Sequence, residues 1–517
     1  MKHKTILAVV VAVAVLAGGY ALLANKYSVP TQAVAASTVV ELKNGDTYDL
    51  IASYVTKVLA GKEQKMLAYN GSIPGPTIRV AQGAEVTINF KNGTDLPALL
   101  HSHGVRMENA FDGSQTQQRE MKSGETFSYK LKFPDAGVFW YHPHVQEVYG
   151  QALGLYGAFI VTPTDTSYFP PVNRELPLFL SDLPLENGRI QIEKGDNTHS
   201  LMGHYGNILL VNGQEKVNLQ AKTGEVVRLY VINAANARPF RFAISGLKLK
   251  LVGGDSGAYE KTTLVDSVVL GPSERAIVDV LFPSAGAYSI QNDTPERRYS
   301  MGAFVVGSEK VSQSYQKEFD RLQVNRTVTE SIEPFRAFFD TVPQKRIALT
   351  LDMGGGMMNM QGMGHGAHMM PDGTMMGGSM MSGSSDGIEW NDTNSMMNEM
   401  SNKDSIKWKI VDQDTGRENM DIDWSFKNGQ PVKIRIFNDS NSMHPMQHPI
   451  HFHGQRFLVV SRDGVKQSNL VWKDTVLVKS GETVDIVLDP SNPGAWMAHC
   501  HISEHLEAGM MFEFKVE

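Results

Sequence analysis

Gly83-Ala84-Glu85-Val86-Thr87-Ile88-Asn89-Phe90-Lys91-Asn92 sets a glycine ahead of a run in which polar and apolar residues alternate, and closes it with asparagine. Period-two alternation is the mark of a half-buried strand. The same phrase returns at Gly224 to Asn233 and at Gly429 to Asn438, at intervals of about 140 and 205 residues. Around these copies, from Ser37 onward, short β-branched runs such as Pro76-Thr77-Ile78-Arg79-Val80 are punctuated by Gly, Asn, Asp and Pro. An all-β chain built from three copies of one β-sandwich unit is expected.

The length agrees, because 517 residues exceed what one hydrophobic core organises. Hydrophobic residues at 42% and charged residues at 20% describe a folded, soluble protein rather than a disordered one. The formal net charge of -7 leaves no basic excess, so nucleic acid is not an expected partner. The expected division is residues 36–170, 171–308 and 345–517, with a charged, polar connecting segment at 309–344 that carries some helix. Residues 1–35 read as an export signal: Lys2 and Lys4 precede an apolar run from Ile6 to Ala24, and Ala33-Val34-Ala35 offers a small-residue cleavage site. The alternative is an uncleaved membrane anchor, since the run approaches the roughly 20 residues that span a bilayer. The mature protein is therefore expected outside the cytoplasm, in the periplasm or an equivalent compartment, and as a monomer.

Residues 353–400 break the strand pattern, and Asp352 to Met400 holds 14 of the 26 methionines, set among Gly, Ser and His. Methionine clusters usually fill irregular cores. This one has no core periodicity, and an exposed, mobile insertion in the third domain is expected.

Four His-x-His pairs stand out: His101/His103, His142/His144, His451/His453 and His499/His501. Random placement of 16 histidines gives roughly half of one such pair. On a strand, residues i and i+2 share a face, so each pair is a pincer of two imidazoles. Two pincers lie near each end of the chain, and eight rings converge only where the first and third domains meet. Neutral nitrogen donors in that number suit a cluster of copper ions; calcium and magnesium prefer oxygen, and zinc takes about four ligands.

The one cysteine lies in His499-Cys500-His501-Ile502-Ser503-Glu504-His505, followed by Gly509-Met510. As a strand, this run turns Cys500 away from His499 and His501, and the odd offset of His448 from His451 turns it away from that pincer too. Cys500, His448 and His505 with a weak axial Met510 make the thiolate and two imidazoles of a blue copper centre. Cys500 is then bonded in sequence to two ligands of the cluster, a short path for an electron.

With these four motifs in place the chain resembles the multicopper oxidase family over nearly its whole length, on His101-Ser102-His103-Gly104, Trp140-Tyr141-His142-Pro143-His144, His448-Pro449-Ile450-His451-Phe452-His453-Gly454 and the Cys500 run. The resemblance implies three cupredoxin-like Greek-key β-sandwich domains and four copper ions. It implies a type 1 copper at His448, Cys500, His505 and Met510 and a type 2 copper at His101 and His451. The two type 3 coppers would take His103, His142 and His501 on one side and His144, His453 and His499 on the other. Asp112 matches the acid that sits beside the trinuclear cluster in such enzymes and manages protons. Where bacterial relatives commonly carry an acid after the last type 1 histidine, this chain has Leu506, with Glu507 next.

The implied reaction is oxidation of a small reducing substrate coupled to reduction of dioxygen to water. The Met-rich insertion is similar to that of bacterial cuprous oxidases of copper tolerance, and thioethers favour Cu(I). Met446 matches a substrate-copper position of that subgroup, with His444 where an acid is usual; Asp352 and Met353 are candidates to complete it. Laccase-like oxidation of phenols and oxidation of Fe(II) are the alternative activities. A copper-storage protein or a copper-free scaffold is the alternative of another class.

Overall fold

A computed structural model describes residues 32–353 and 386–517, together with the backbone of 368–369 and 375–376. The repeated phrase forms equivalent strands, Glu85–Asn92, Val226–Asn233 and Val432–Asn438, each flanked on both sides within one sheet of a two-sheet sandwich. In the third domain one sheet runs Ile406–Asp412, Lys345–Met353, Val432–Asn438, Thr483–Asp489, Arg456–Arg462, Val465–Lys466. The facing sheet runs Trp424–Phe426, Met511–Val516, Gly494–Cys500, His448–Phe452, Thr475–Val478. Parallel pairs such as Lys345–Met353 with Val432–Asn438 join strands distant in sequence, as the crossovers of a Greek key require.

The asparagine that ends each copy has a physical task. Asn92, Asn233 and Asn438 are buried, and each side-chain amide donates to two backbone carbonyls, of Leu96 and Met121, of Arg238 and Leu270, and of Met446 and Val478. An unpaired carbonyl in a dry interior costs about 1–3 kcal/mol, so this residue closes the same turn three times. In the third copy the pinned carbonyl belongs to Met446, two residues before His448.

Two domain boundaries move. Gln32–Ala33 pairs in parallel with Thr47–Leu59, and Val34 and Ala35 donate to Thr56 and Gly71, so the first sandwich begins before residue 36 and the expected cleavage site lies within its edge. The last strand of the second domain, Arg298–Lys310, runs past 308. The connecting segment holds the helices Gln316–Asp320 and Arg326–Ile332, as expected. No helix among the described residues is long and apolar enough to cross a membrane. Most of the stretch read as an export signal, residues 1–31, lies outside the described residues.

The insertion is not exposed throughout. Residues 354–385 fall almost wholly outside the described residues, but 386–400 dock against the second domain. Ile388 and Trp390 are buried with Leu477, Asn398 donates to Gly203 and accepts from Met202, and Arg238 donates to the Trp390 carbonyl at 2.6 Å. The expectation of a mobile insertion over 353–400 failed here because one tryptophan, one isoleucine and one asparagine suffice to anchor a polar segment once a complementary wall exists, and composition does not disclose the wall.

Candidate metal centre

Strand pairing brings the pincers face to face. Leu100–His103 runs antiparallel to Gly137–Pro143 with His101 opposite His142, and His448–Phe452 runs antiparallel to Gly494–Cys500 with His451 opposite His499. The two ladders meet across the interface between the first and third domains. His101 and His453 lie 4.1 Å apart by ring centroids, and His103 stacks on His451 at 3.7 Å. His103, His142 and His501 form a triangle with sides of 5.8, 5.0 and 5.1 Å, and His144, His453 and His499 one with sides of 5.1, 5.4 and 5.1 Å. All eight rings are buried.

Hydrogen bonds decide which nitrogen six of the eight rings present, those of His101, His103, His142, His451, His453 and His499. Backbone carbonyls can only accept, so His101 Nδ1 donates to Asp112, His142 Nδ1 to Pro143, His451 Nδ1 to Asp474 and His499 Nδ1 to Cys500, each at 2.8 Å. A neutral ring so held carries its lone pair on Nε2. The Nε2 atoms of His101, His142 and His451 are buried without a hydrogen-bond partner, as are both nitrogens of His144 and His501. His453 Nδ1 donates to the Asp112 carboxylate at 3.0 Å, which leaves its Nε2 facing the Nε2 of His499 at 3.0 Å. Two lone pairs at that distance repel unless a cation lies between them. Burial holds the cationic forms of His103, His142, His144, His451, His453 and His501 well below the usual imidazole pKa and lowers His499 to about 4, so the rings stay neutral donors. Orphaned buried lone pairs aimed at common centres are what a metal cluster satisfies, and all-nitrogen donors fit copper.

On the other face of the same strand, Cys500 Sγ lies 3.6 Å from His448 Nδ1 and 3.7 Å from His505 Nδ1, with 3.3 Å between the two nitrogens. The centre of such a triangle is about 2 Å from each corner, the length of a transition-metal bond to nitrogen or sulfur. Met510 is fully buried in the same cluster, and Trp408 stacks on His505 at 4.2 Å. Burial pushes the Cys500 thiol up, so a bound cation is needed to hold it as thiolate.

Asp112 reaches both pincers, through its carbonyl to His101 and its carboxylate to His453. Gly113 makes this possible: with φ at +76°, a Cβ there would lie 1.9 Å from the Leu100 carbonyl oxygen. Asp474, which sequence reasoning missed, has the mirror-image role, with its carbonyl on His451 and its carboxylate 2.9 Å from His103 Nε2. Its signal in the sequence is slight, one acid inside the apolar run Val471 to Val478. Glu147 was also missed. Its Oε1 lies 3.7 Å from Nδ1 of both His142 and His501, and burial, followed by the charges of Glu507 and Glu504, raises its carboxyl well above the usual range. Leu506 brings no acid to this place, and Glu507, raised to about 7 by desolvation and Glu504, lies exposed at the end of its helix.

Of the proposed substrate residues, Met446 and Met353 join the buried cluster that contains Cys500 and Met510. Asp352 does not: it leaves the opposite face of its strand from Met353 and pairs with Lys409 at the surface.

Behind the centre, His204 of the second domain bridges Glu504 at 2.6 Å and Asp196 at 3.4 Å. Burial disfavours its cation, but hydrogen bonds to Asp196 and Glu504 outweigh burial and raise it from 6.5 to about 9. A folded pKa above the unfolded one stabilises fully below pH 6.5 and is lost as pH rises through 9. The melting temperature is expected to fall between pH 6.5 and 9 by more in the wild type than in His204→Gln, and equal slopes would refute the pairing.

Comparison with known proteins agrees with this geometry. The chain matches multicopper oxidase domains over residues 51–166, 175–309 and 387–517. It is 24% identical to the multicopper oxidase mco of Staphylococcus aureus over 481 residues, covering 90% of this chain and 88% of that one. It is 26% identical to the multicopper oxidase MmcO of Mycobacterium tuberculosis over 488 residues, covering 87% and 83%. The solved multicopper oxidase of Campylobacter jejuni, described as a metallo-oxidase, shares the fold with a TM-score of 0.69 at 24% identity, covering 94% of this chain and 96% of that one.

Proposed function

Since this chain belongs to the multicopper oxidase family, we propose that it oxidises Cu(I) with dioxygen, four Cu(I) and four protons with one O2 yielding four Cu(II) and two waters, in an exported enzyme of copper tolerance. The resident copper supplies one-electron transfer and dioxygen reduction, as one type 1, one type 2 and two type 3 ions. His448, Cys500, His505 and Met510 hold the type 1 ion, and His101 and His451 the type 2 ion. His103, His142 and His501 hold one type 3 ion and His144, His453 and His499 the other. The observation that carries the oxidase reading is the set of buried imidazole lone pairs without partners, locked toward common centres by carbonyls and carboxylates.

The choice of Cu(I) rests on the donors around the type 1 pocket. Met446 and Met353 are buried in its cluster, and Met397 and Met443 pack against it from partly exposed positions. His444 Nε2 is buried without a hydrogen-bond partner, two residues before Met446. Soft thioethers and a neutral imidazole retain a cuprous ion and discriminate against Fe(II), which prefers harder oxygen donors. The docked segment 386–400 also narrows the approach: Gln447, next to His448, accepts from the backbone N–H of Glu389.

Oxygen consumption by one copper-loaded sample with Cu(I), Fe(II) and a phenol tests the reading. Turnover is expected fastest with Cu(I). A faster phenol reaction would replace it with the laccase-like reading, and a colourless, copper-poor protein after loading would point to a scaffold.

A further inference from the structure

The second domain supplies none of the histidines of the centre, yet its Arg275 reaches the acid that holds two of them. Arg275, at the start of the strand Arg275–Leu281, is wholly buried and touches all three domains. Its two terminal nitrogens donate to the two carboxylate oxygens of Asp474 in the third domain at 2.7 and 2.5 Å, and its Nε donates to the Val138 carbonyl of the first at 3.0 Å. Asp255 fixes the arginine from behind by accepting its backbone N–H at 2.9 Å. Room for this junction comes from Gly104, where a Cβ would lie 2.2 Å from Asp474 Oδ2 and 2.9 Å from Arg275 Nη2.

The consequence falls on His103. His101, His142, His451, His453 and His499 are all held at Nδ1, whereas His103 is held at Nε2, 2.9 Å from both Asp474 Oδ1 and Thr475 Oγ1, and its partnerless atom is Nδ1. We propose that Arg275 is a positioning residue of the eight-histidine centre: by clamping Asp474 it makes His103 ligate through Nδ1, the opposite nitrogen from its neighbours, so that the second domain sets the geometry of a metal site to which it contributes no ligand. A two-pronged guanidinium orients a carboxylate as well as neutralising it, which a lysine ammonium does not. The inference rests on copper occupying the eight histidines.

Copper-loaded full-length Arg275→Met and Arg275→Lys test it. The readouts are the type 2 electron paramagnetic resonance signal, which reports on Asp474 because its carbonyl holds His451 while its carboxylate holds His103, copper retention against a chelator and the type 1 blue absorbance. Loss of an outer hydrogen-bond partner weakens metal binding by roughly 10–100-fold. Retention at the eight-histidine centre is expected to fall by that factor in Arg275→Met and by less in Arg275→Lys, with a shifted type 2 signal in both and the blue band unchanged. If Arg275→Met does not fold, Arg275→Lys alone carries the test through its type 2 signal. An unshifted type 2 signal, or a blue band lost in parallel with it, overturns the assignment. A wild type without copper at these histidines would instead overturn the oxidase reading itself.

Discussion

Cys500→Ser is expected to abolish the blue absorbance and all turnover while the copper held by the eight paired histidines stays bound. The thiolate is the one soft anionic donor within reach of His448 and His505, 3.6 and 3.7 Å away, and serine offers a harder oxygen that burial keeps protonated. Cys500 is also the residue whose backbone joins the two centres, since His499 and His501 leave the strand on the other side. The other pincers do not depend on the sulfur: His499 is held by the Cys500 carbonyl, which the substitution leaves in place. Copper analysis with electron paramagnetic resonance checks the division. Loss of every copper on this one substitution would mean that the two centres do not assemble separately.

The second large effect is expected from Asp112→Asn, a roughly 10–100-fold loss of turnover with the blue band intact. The substitution preserves shape and leaves the backbone carbonyl on His101, but it removes the anion that His453 Nδ1 faces at 3.0 Å and His101 Nδ1 at 3.5 Å. Acids beside such centres also handle protons, so the pH profile is expected to change along with the rate. Asp112 is buried and its ring contacts are with His101 and His453 rather than with His448, Cys500 or His505, and for that reason colour and turnover are expected to separate. Turnover within a factor of two of wild type would deny the carboxylate its role.

Much of this was legible before any fold was known. Period two in Glu85–Asn92 and its two copies announced the sandwiches, and the same period applied to His101/His103 or His499/His501 announced the pincers. The turn-closing asparagines were visible as the end of the phrase, though not their paired carbonyls. Three segments have distant partners that the sequence did not disclose, for a common reason. Gln32–Ala33, the docked segment around Trp390, and Asp352 each take their state from a partner far along the chain: Thr47–Leu59, Arg238 and Lys409. Composition describes a segment in isolation and does not disclose what it meets.

The order of residues by itself determined which side chains share a face, and therefore that eight imidazoles come as four pairs and that the thiol stands back to back with two of them. That follows from the pleat, which alternates side chains whatever the strand later packs against. Only the tertiary structure decided which nitrogen His103 and His453 offer, because Asp474 and Asp112 reach those rings from the opposite end of the chain, whereas His142 and His499 are held by the carbonyl of the next residue. Hydrogen-bond partners separated by hundreds of residues are chosen by packing, and no local spacing encodes them.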